Sequence, residues 1–236
     1  MPHRSRFKAL SFDGDRTLWD FESSMVKAMT IAVETLREKG LDRDGEPVTV
    51  AWMASVRDEV AARESGSNVP MDSIRLAAFK ESVRRCGSED MELAEKVCRR
   101  YFADRRRVLE PFPDARPALE RWRGRFSLAL VTNGNTLPST LGMEEYFTTV
   151  VMAAEENVYK PDPAIYRLAA ERLGTDPEKT VHIGDNLVED VAAAQAAGMR
   201  AVWLNRDGAT ADADVRPDAE ISSLDGIAEA LDAIAA

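Results

Sequence analysis

The apolar positions of the chain fall into two textures. Residues 7–13, "FKALSFD", form a short apolar run ending in acid, the pattern of a buried strand that opens into a polar loop. From about residue 22 to 107 the apolar residues recur at helical spacing. "SSMVKAMTIAVETLREKG" stops at Gly40, "TVAWMASVRDEVAARESG" at Gly66 and "MDSIRLAAFKESVRRCG" at Gly87. "SEDMELAEKVCRRYFADRRR" opens on Ser88, a residue suited to cap a helix N-terminus. The pattern predicts four successive helices with little strand.

After "LEPFPDARP" the texture alternates. "ARPALERWRGR" predicts a short helix and "FSLALVTNG" a strand with a polar end, followed by a helical stretch and the strand "FTTVVMA". "DPAIYRLAAERLG" reads as a helix, "KTVHIGDN" as strand and loop, and "VEDVAAAQAAG" as a helix. "RAVWLN" is a strand, and "AEISSLDGIAEALDAIAA" supplies a last short strand and a terminal helix. Strand–helix alternation implies a parallel sheet with helices on both faces. The first strand belongs to that sheet although the helical block separates it, so the block is an insertion. The expected fold is α/β: a doubly wound, Rossmann-like parallel sheet from residues 1–20 and 108–236, with an all-helical domain of residues 21–107 inserted.

Composition narrows the function classes. The chain has 236 residues, 44% hydrophobic and 31% charged, which suits a globular protein. Its net charge of −10 disfavours a polyanionic partner such as nucleic acid. The basic start, "MPHRSRFKALSFDGD", carries too short an apolar run for a signal peptide, and no segment reaches the ~20 apolar residues of a membrane helix. A cytoplasmic protein without a membrane partner is expected, as a monomer or a homodimer. Cys86 and Cys98 lack metal-ligand spacing and read as thiols on the inserted helices.

Ligands of an open parallel sheet bind beyond the carboxyl ends of its strands. Asp13 and Asp15 follow the first strand; Thr132, Asn133 and Gly134 follow "SLALV"; Gly184, Asp185 and Asn186 follow "TVHI", with Glu189 and Asp190 close behind. Lys160, in "VYKPDP", lies in a loop between a strand and a helix. Each has an ordinary alternative: Asp13 and Asp15 as an Asx turn, Asp185 and Asp190 as helix caps, Lys160 as a solvated surface cation. His182 alternates into its strand and reads as a packed core histidine, while His3 lies in the N-terminal tail. Trp19 and Phe21 either line a pocket or pack the junction with the insertion. Arg105 to Arg107 suit the negative end of a helix.

Taken together, "DGDRTL" with Asp13 and Asp15, Thr132 in "LVTNG", Lys160 in "KPDPAIY" and "GDNLVED" with Asp185 and Asp190 resemble the four motifs of the haloacid dehalogenase-like hydrolase superfamily. The order and placement resemble the branch with a helical cap inserted after the first motif, and the resemblance spans the chain. It implies a phosphatase acting on a small phosphorylated metabolite. Asp13 would attack phosphorus to form an aspartyl-phosphate, and Asp15 would serve as general acid and base. Mg²⁺ would be held by Asp13, Asp15 through its backbone carbonyl, and Asp185. Asp190 would bind the metal's water shell or orient Lys160. Thr132, Lys160 and the backbone N–H groups near Asn133 and Gly134 would neutralise the transferring phosphoryl group.

Arg16 departs from the family pattern, which has glycine or an acid there. It is expected to pair with Asp20 or with a carboxylate of the insertion, or to recognise an anionic substrate. The dehalogenase branch lacks an aspartate at the position of Asp15, so hydrolysis of a 2-haloacid is the secondary reading. A non-catalytic binding protein on the same scaffold would have lost a carboxylate, and none is lost. A phosphonatase would bring a lysine in the insertion, and Lys27, Lys39, Lys80 and Lys96 show no distinguishing context.

Overall fold

The computed structural model describes residues 6–63, 71–210 and 214–235; His3 and the expected helix stop at Gly66 lie outside them. Strand β1 (Ala9–Phe12) is followed by α1 (Phe21–Glu38), β2 (Asp42–Arg43), β3 (Glu46–Pro47), α2 (Val50–Arg63), α3 (Met71–Arg85) and α4 (Met91–Val108). The chain continues through α5 (Ala115–Arg123), β4 (Ser127–Thr132), β5 (Thr149–Met152), α6 (Ala153–Glu156), α7 (Ala164–Arg172) and β6 (Thr180–Gly184). It ends with α8 (Ala193–Ala196), β7 (Arg200–Leu204), β8 (Ala219–Ile221) and α9 (Ile227–Ala235). Two compact units result: Met1–Phe21 with Glu110–Ala236, and Glu22–Leu109.

In the first unit six strands form one sheet in the order β5-β4-β1-β6-β7-β8, every pairing parallel. The strands read as unbroken apolar runs because both faces are covered. Leu10, Phe12, Leu128, Leu130 and Ile183 are all buried. On one face Tyr166, Ala169 and Ala194 from α7 and α8 pack with Val131, Val151 and Trp203. The strand order reverses at β1: β4 and β5 lie to one side, β6 to β8 to the other. The loops after β1, β4 and β6 therefore open side by side, where a doubly wound sheet places its ligand.

Two helices expected of this unit take other forms. The stretch after β4 yields only short 3₁₀ turns, Pro138–Leu141 and Glu144–Tyr146, the first ended by Gly142 at a left-handed φ of 58°. The segment "VEDVAAAQAAG" begins as a wide π turn, Leu187–Ala192, before tightening into α8. Asn186 accepts the Val188 and Glu189 N–H groups on its side chain, and its carbonyl accepts from Val191, five residues on.

The second unit packs Ala28, Met29, Val33, Phe79, Val83, Val97 and Tyr101 into one core. It is not all-helical: β2 and β3 form an antiparallel ribbon. Asp44 and Gly45 turn it with φ of 55° and 91°, the consecutive positive values that an Asp-Gly hairpin turn requires. The cap of α4 is Asp90, whose carboxylate accepts the Leu93 N–H, while the expected cap, Ser88, accepts from the Asp90 N–H. Cys86 and Cys98 are free thiols, and burial pushes Cys98 up to about 11. Among the described residues no helix is long and apolar enough to cross a membrane.

Phe79 is fully buried, its ring centroid 5.7 Å from that of Tyr101. Phe79→Ala is expected to cost about 3–5 kcal/mol of stability, read from urea unfolding of the helical signal. A loss below about 1 kcal/mol would show that this core does not hold the unit together.

Candidate active site

Strand β1 delivers Asp13 to its carboxyl end, where the Asp13 N–H donates to the Ile183 carbonyl of the neighbouring strand at 2.9 Å. Lys160, in the loop after α6, reaches the same point. Its Nζ donates to Asp13 Oδ1 at 2.5 Å and to Asp190 Oδ1 at 2.7 Å, with all three side chains at least nine-tenths buried. Burying three charges is costly, so each must be paired and hydrogen-bonded. Burial alone would lower the Lys160 pKa, but Asp13 and Asp190 outweigh it and hold the ammonium above its ordinary value. Asp190 also resists the upward push of burial, because Lys160 and then His182 hold its carboxyl well below the usual range. Burial raises Asp13 well above that range against the pull of Lys160, with the Asp190 charge adding to the rise.

Asp190 is further fixed by three groups. The Asn186 N–H donates to Oδ2 at 3.0 Å, and the Tyr166 hydroxyl and His182 Nε2 each lie 3.3 Å from Oδ1. A carboxylate only accepts, so Nε2 carries the imidazole proton and Nδ1 accepts from the Ser11 hydroxyl at 2.9 Å. His182 is buried, as its strand alternation implies, and desolvation lowers its pKa, which keeps the ring neutral. It thus also orients Asp190. Gly184 makes room for this arrangement, since a Cβ there would overlap the Asp190 carboxyl group.

Asp15 turns to the other side of the β1 loop. Its Oδ1 accepts from Trp19 Nε1 at 2.6 Å. Trp19 is fully buried and packs so closely on the loop that a Cβ on Gly14 would sit 2.5 Å from its ring. Trp19 thus holds Asp15, a role outside the two expected of it. A Cβ on Gly134 would lie 2.6 Å from Asp15 Oδ2 and 3.1 Å from Thr132 Oγ1, so glycine there lets the β4 loop close on the acid. The Gly134 N–H, expected to face a substrate, donates to Thr132 Oγ1 at 2.9 Å. Asn133 faces the lysine loop: its amide donates to the Lys160 carbonyl at 3.0 Å and accepts the Lys160 N–H at 2.8 Å, which positions the ammonium.

Asp13, Asp185 and Asp190 each offer a carboxylate oxygen, and these three atoms lie within 4.8 Å of one another. The Asp15 carboxylate is not among them. Asp185 is fixed from behind by Trp203 Nε1, which donates to its carbonyl at 2.8 Å. Burial raises its pKa, the Asp190 charge adds to the rise, and Arg16 opposes it. Arg16 has φ of 65° and donates to Asp185 at 2.9 Å and Asp207 at 2.8 Å, two partners outside the set expected of it. Sequence reasoning also missed Ser11 and Tyr166. Tyr166 was in plain view in "KPDPAIY", on the first turn of α7, where its hydroxyl donates to the Glu189 carbonyl at 2.7 Å.

Comparison with known proteins shows the family. The model of the family described as haloacid dehalogenase-like hydrolase matches residues 7–198. The chain is 32% identical over 225 residues to a glyceraldehyde 3-phosphate phosphatase of Methanopyrus kandleri, covering 92% of each protein. It is 35% identical over 158 residues to a phosphoserine phosphatase of Thermus thermophilus, covering 64% of this chain and 62% of that one. A crystal structure of a 2-haloacid dehalogenase from Pseudomonas syringae superposes with a TM-score of 0.77 at 32% identity, over 96% of this chain and 98% of that one. With four motif loops meeting at one sheet edge and a family match across most of its length, the chain belongs to the haloacid dehalogenase-like hydrolases.

Proposed function

We propose that the chain is a phosphatase that hydrolyses a small phosphomonoester with Asp13 as nucleophile. The observation that carries the reading is the Lys160 ammonium held between Asp13 and Asp190, with Asp185 beside them and Asp15 and Thr132 gathered at Gly134. An Asp13 oxygen forms a bond to phosphorus as the bond from phosphorus to the alcohol oxygen breaks, and Asp15 gives that oxygen its proton. Asp15 then takes a proton from water, which attacks the phosphorus, frees Asp13 and releases inorganic phosphate. Lys160 offsets phosphoryl charge, with the Thr132 hydroxyl as a second donor.

The all-oxygen set of Asp13, Asp185 and Asp190 fits a hard divalent cation such as Mg²⁺, with the Asp15 carbonyl as a further ligand. Such a cation supplies charge neutralisation that lets a substrate dianion approach these carboxylates. Asp190, already bonded to Lys160, serves the ammonium first. The relatives named as phosphatases of small phosphorylated metabolites support the substrate class, and residues 21–107 are assigned as the cap that selects the leaving group. The relative named as a 2-haloacid dehalogenase supports carbon–halogen hydrolysis as a second reading. The hydrogen-bonded acid at Asp15, suited to protonate an alkoxide but superfluous for a halide, weighs against it.

A chromogenic aryl phosphate is expected to turn over with Mg²⁺, to stop with a chelator and to resume when the cation is returned. Asp13→Asn is expected to abolish turnover, by a factor of about a thousand or more. Metal-independent turnover, or halide release from a 2-haloacid in place of phosphate release, would replace this reading. Gly134→Ala is expected to push Asp15 aside and lower kcat about a hundredfold, with little change in melting temperature. Unaltered kcat would mean that Asp15 needs no such placement.

A further inference from the structure

The helical unit contains a buried cation that pairs with no carboxylate among the described residues. Arg75, on α3, is 8% exposed. Its Nη2 donates to the Met25 sulfur at 3.7 Å, and its Cζ lies 5.2 Å from the centroid of the Tyr101 ring. A thioether is a weak acceptor and a ring face is none in the ordinary sense, so most of the five guanidinium N–H donors remain unspent. Among the described residues no carboxylate pairs with it. Tyr101, on α4, is 1% exposed, and its hydroxyl is buried with no hydrogen-bond partner. The two polar groups are stacked together, the hydroxyl without a partner and the guanidinium with only a thioether.

This is an expensive arrangement for packing alone. A buried arginine without a counter-ion is worse than an apolar residue of similar size. The cation–π contact with Tyr101 recovers part of that cost and leaves the donors idle. Burial depresses the Arg75 pKa, Tyr101 opposes the fall, and Arg57 and Arg105 add repulsion. Arg57 pairs with Asp58, and Arg105 stacks on Phe102 with its Cζ 5.4 Å from the ring centroid. A guanidinium fork and an adjacent hydroxyl donor match a carboxylate or phosphate group.

We infer that Arg75 and Tyr101 form an oxyanion-binding site in the helical unit. The oxyanion is either the second anionic group of a substrate or a separate small anion, and the chemistry of recognition is the same. The site stands on the helical unit alone and does not depend on the phosphatase reading.

The test uses the full chain with malonate as the probe, followed by calorimetry and thermal melting, in wild type, Arg75→Met, Arg75→Lys and Tyr101→Phe. Wild type is expected to bind malonate and to melt higher with it. Arg75→Met is expected to lose one binding equivalent while melting, without anion, no lower than wild type, because a bare buried charge has been removed. Tyr101→Phe is expected to weaken binding about fivefold, and Arg75→Lys about tenfold, a lost fork being replaced by a point charge. KM values then identify the source. A tenfold rise in Arg75→Met for O-phosphoserine, with phenyl phosphate unchanged, assigns the site to substrate; unchanged KM values alongside lost malonate binding assign it to a separate anion. Malonate binding that is absent from wild type, or equal in wild type, Arg75→Met and Arg75→Lys, would overturn the inference. If wild type hydrolyses neither ester, the phosphatase reading falls while the malonate titration still decides this one.

Discussion

The site depends on one ammonium group out of contact with water. Lys160 lies between Asp13 and Asp190 at hydrogen-bond distance from both, and each of the three would be untenable there alone. The arrangement is asymmetric. Asp190 collects three further neighbours in the Asn186 N–H, Tyr166 and His182, so it holds the negative charge firmly. Asp13 has fewer such neighbours and is the less comfortable anion, which is the condition of a carboxylate placed to react.

The supporting structure is mostly a matter of close approach. Gly14, Gly134 and Gly184 each stand where a single Cβ would strike Trp19, Asp15 or Asp190. Missing side chains let three loops from strands far apart in sequence converge. The wide turn after Asn186 serves the same end, since the Asn186 carbonyl and side chain secure the first turn while its N–H is left to bond Asp190. The Asn133 amide joins the β4 loop to the lysine loop through paired hydrogen bonds.

Much of this was legible in the chain. Apolar runs ending in acids or hydroxyls placed Asp13, Thr132 and Asp185 at one sheet edge, because a parallel sheet puts all its carboxyl ends together. Helical periodicity separated the insertion from the sheet. Features set by tertiary contact were hidden. Nothing local said that Trp19 would hold Asp15, or that the Asn133 side-chain amide would bond the lysine loop. The hairpin at Asp44 and Gly45 had a signal, the Asp-Gly pair, but two-residue strands are too short for alternation to register. Arg16 was visible as an exception, yet its partner Asp207 lies 191 positions along the chain, beyond the reach of any local pattern.

The central place of β1 has a consequence for how the chain is assembled. Its register partners begin at Ser127 on one side and Thr180 on the other. A ribosome releases this strand long before either neighbour exists, whereas the helical block that follows is contiguous and has its own core. The apolar strand bearing Asp13 must therefore wait unpaired through the synthesis of more than half the protein, a long-range closure of the kind that slows folding and invites chaperone capture. Nascent chains that stop short of the sixth strand would hold a folded helical insert beside a β1 strand still lacking one of its two flanking neighbours.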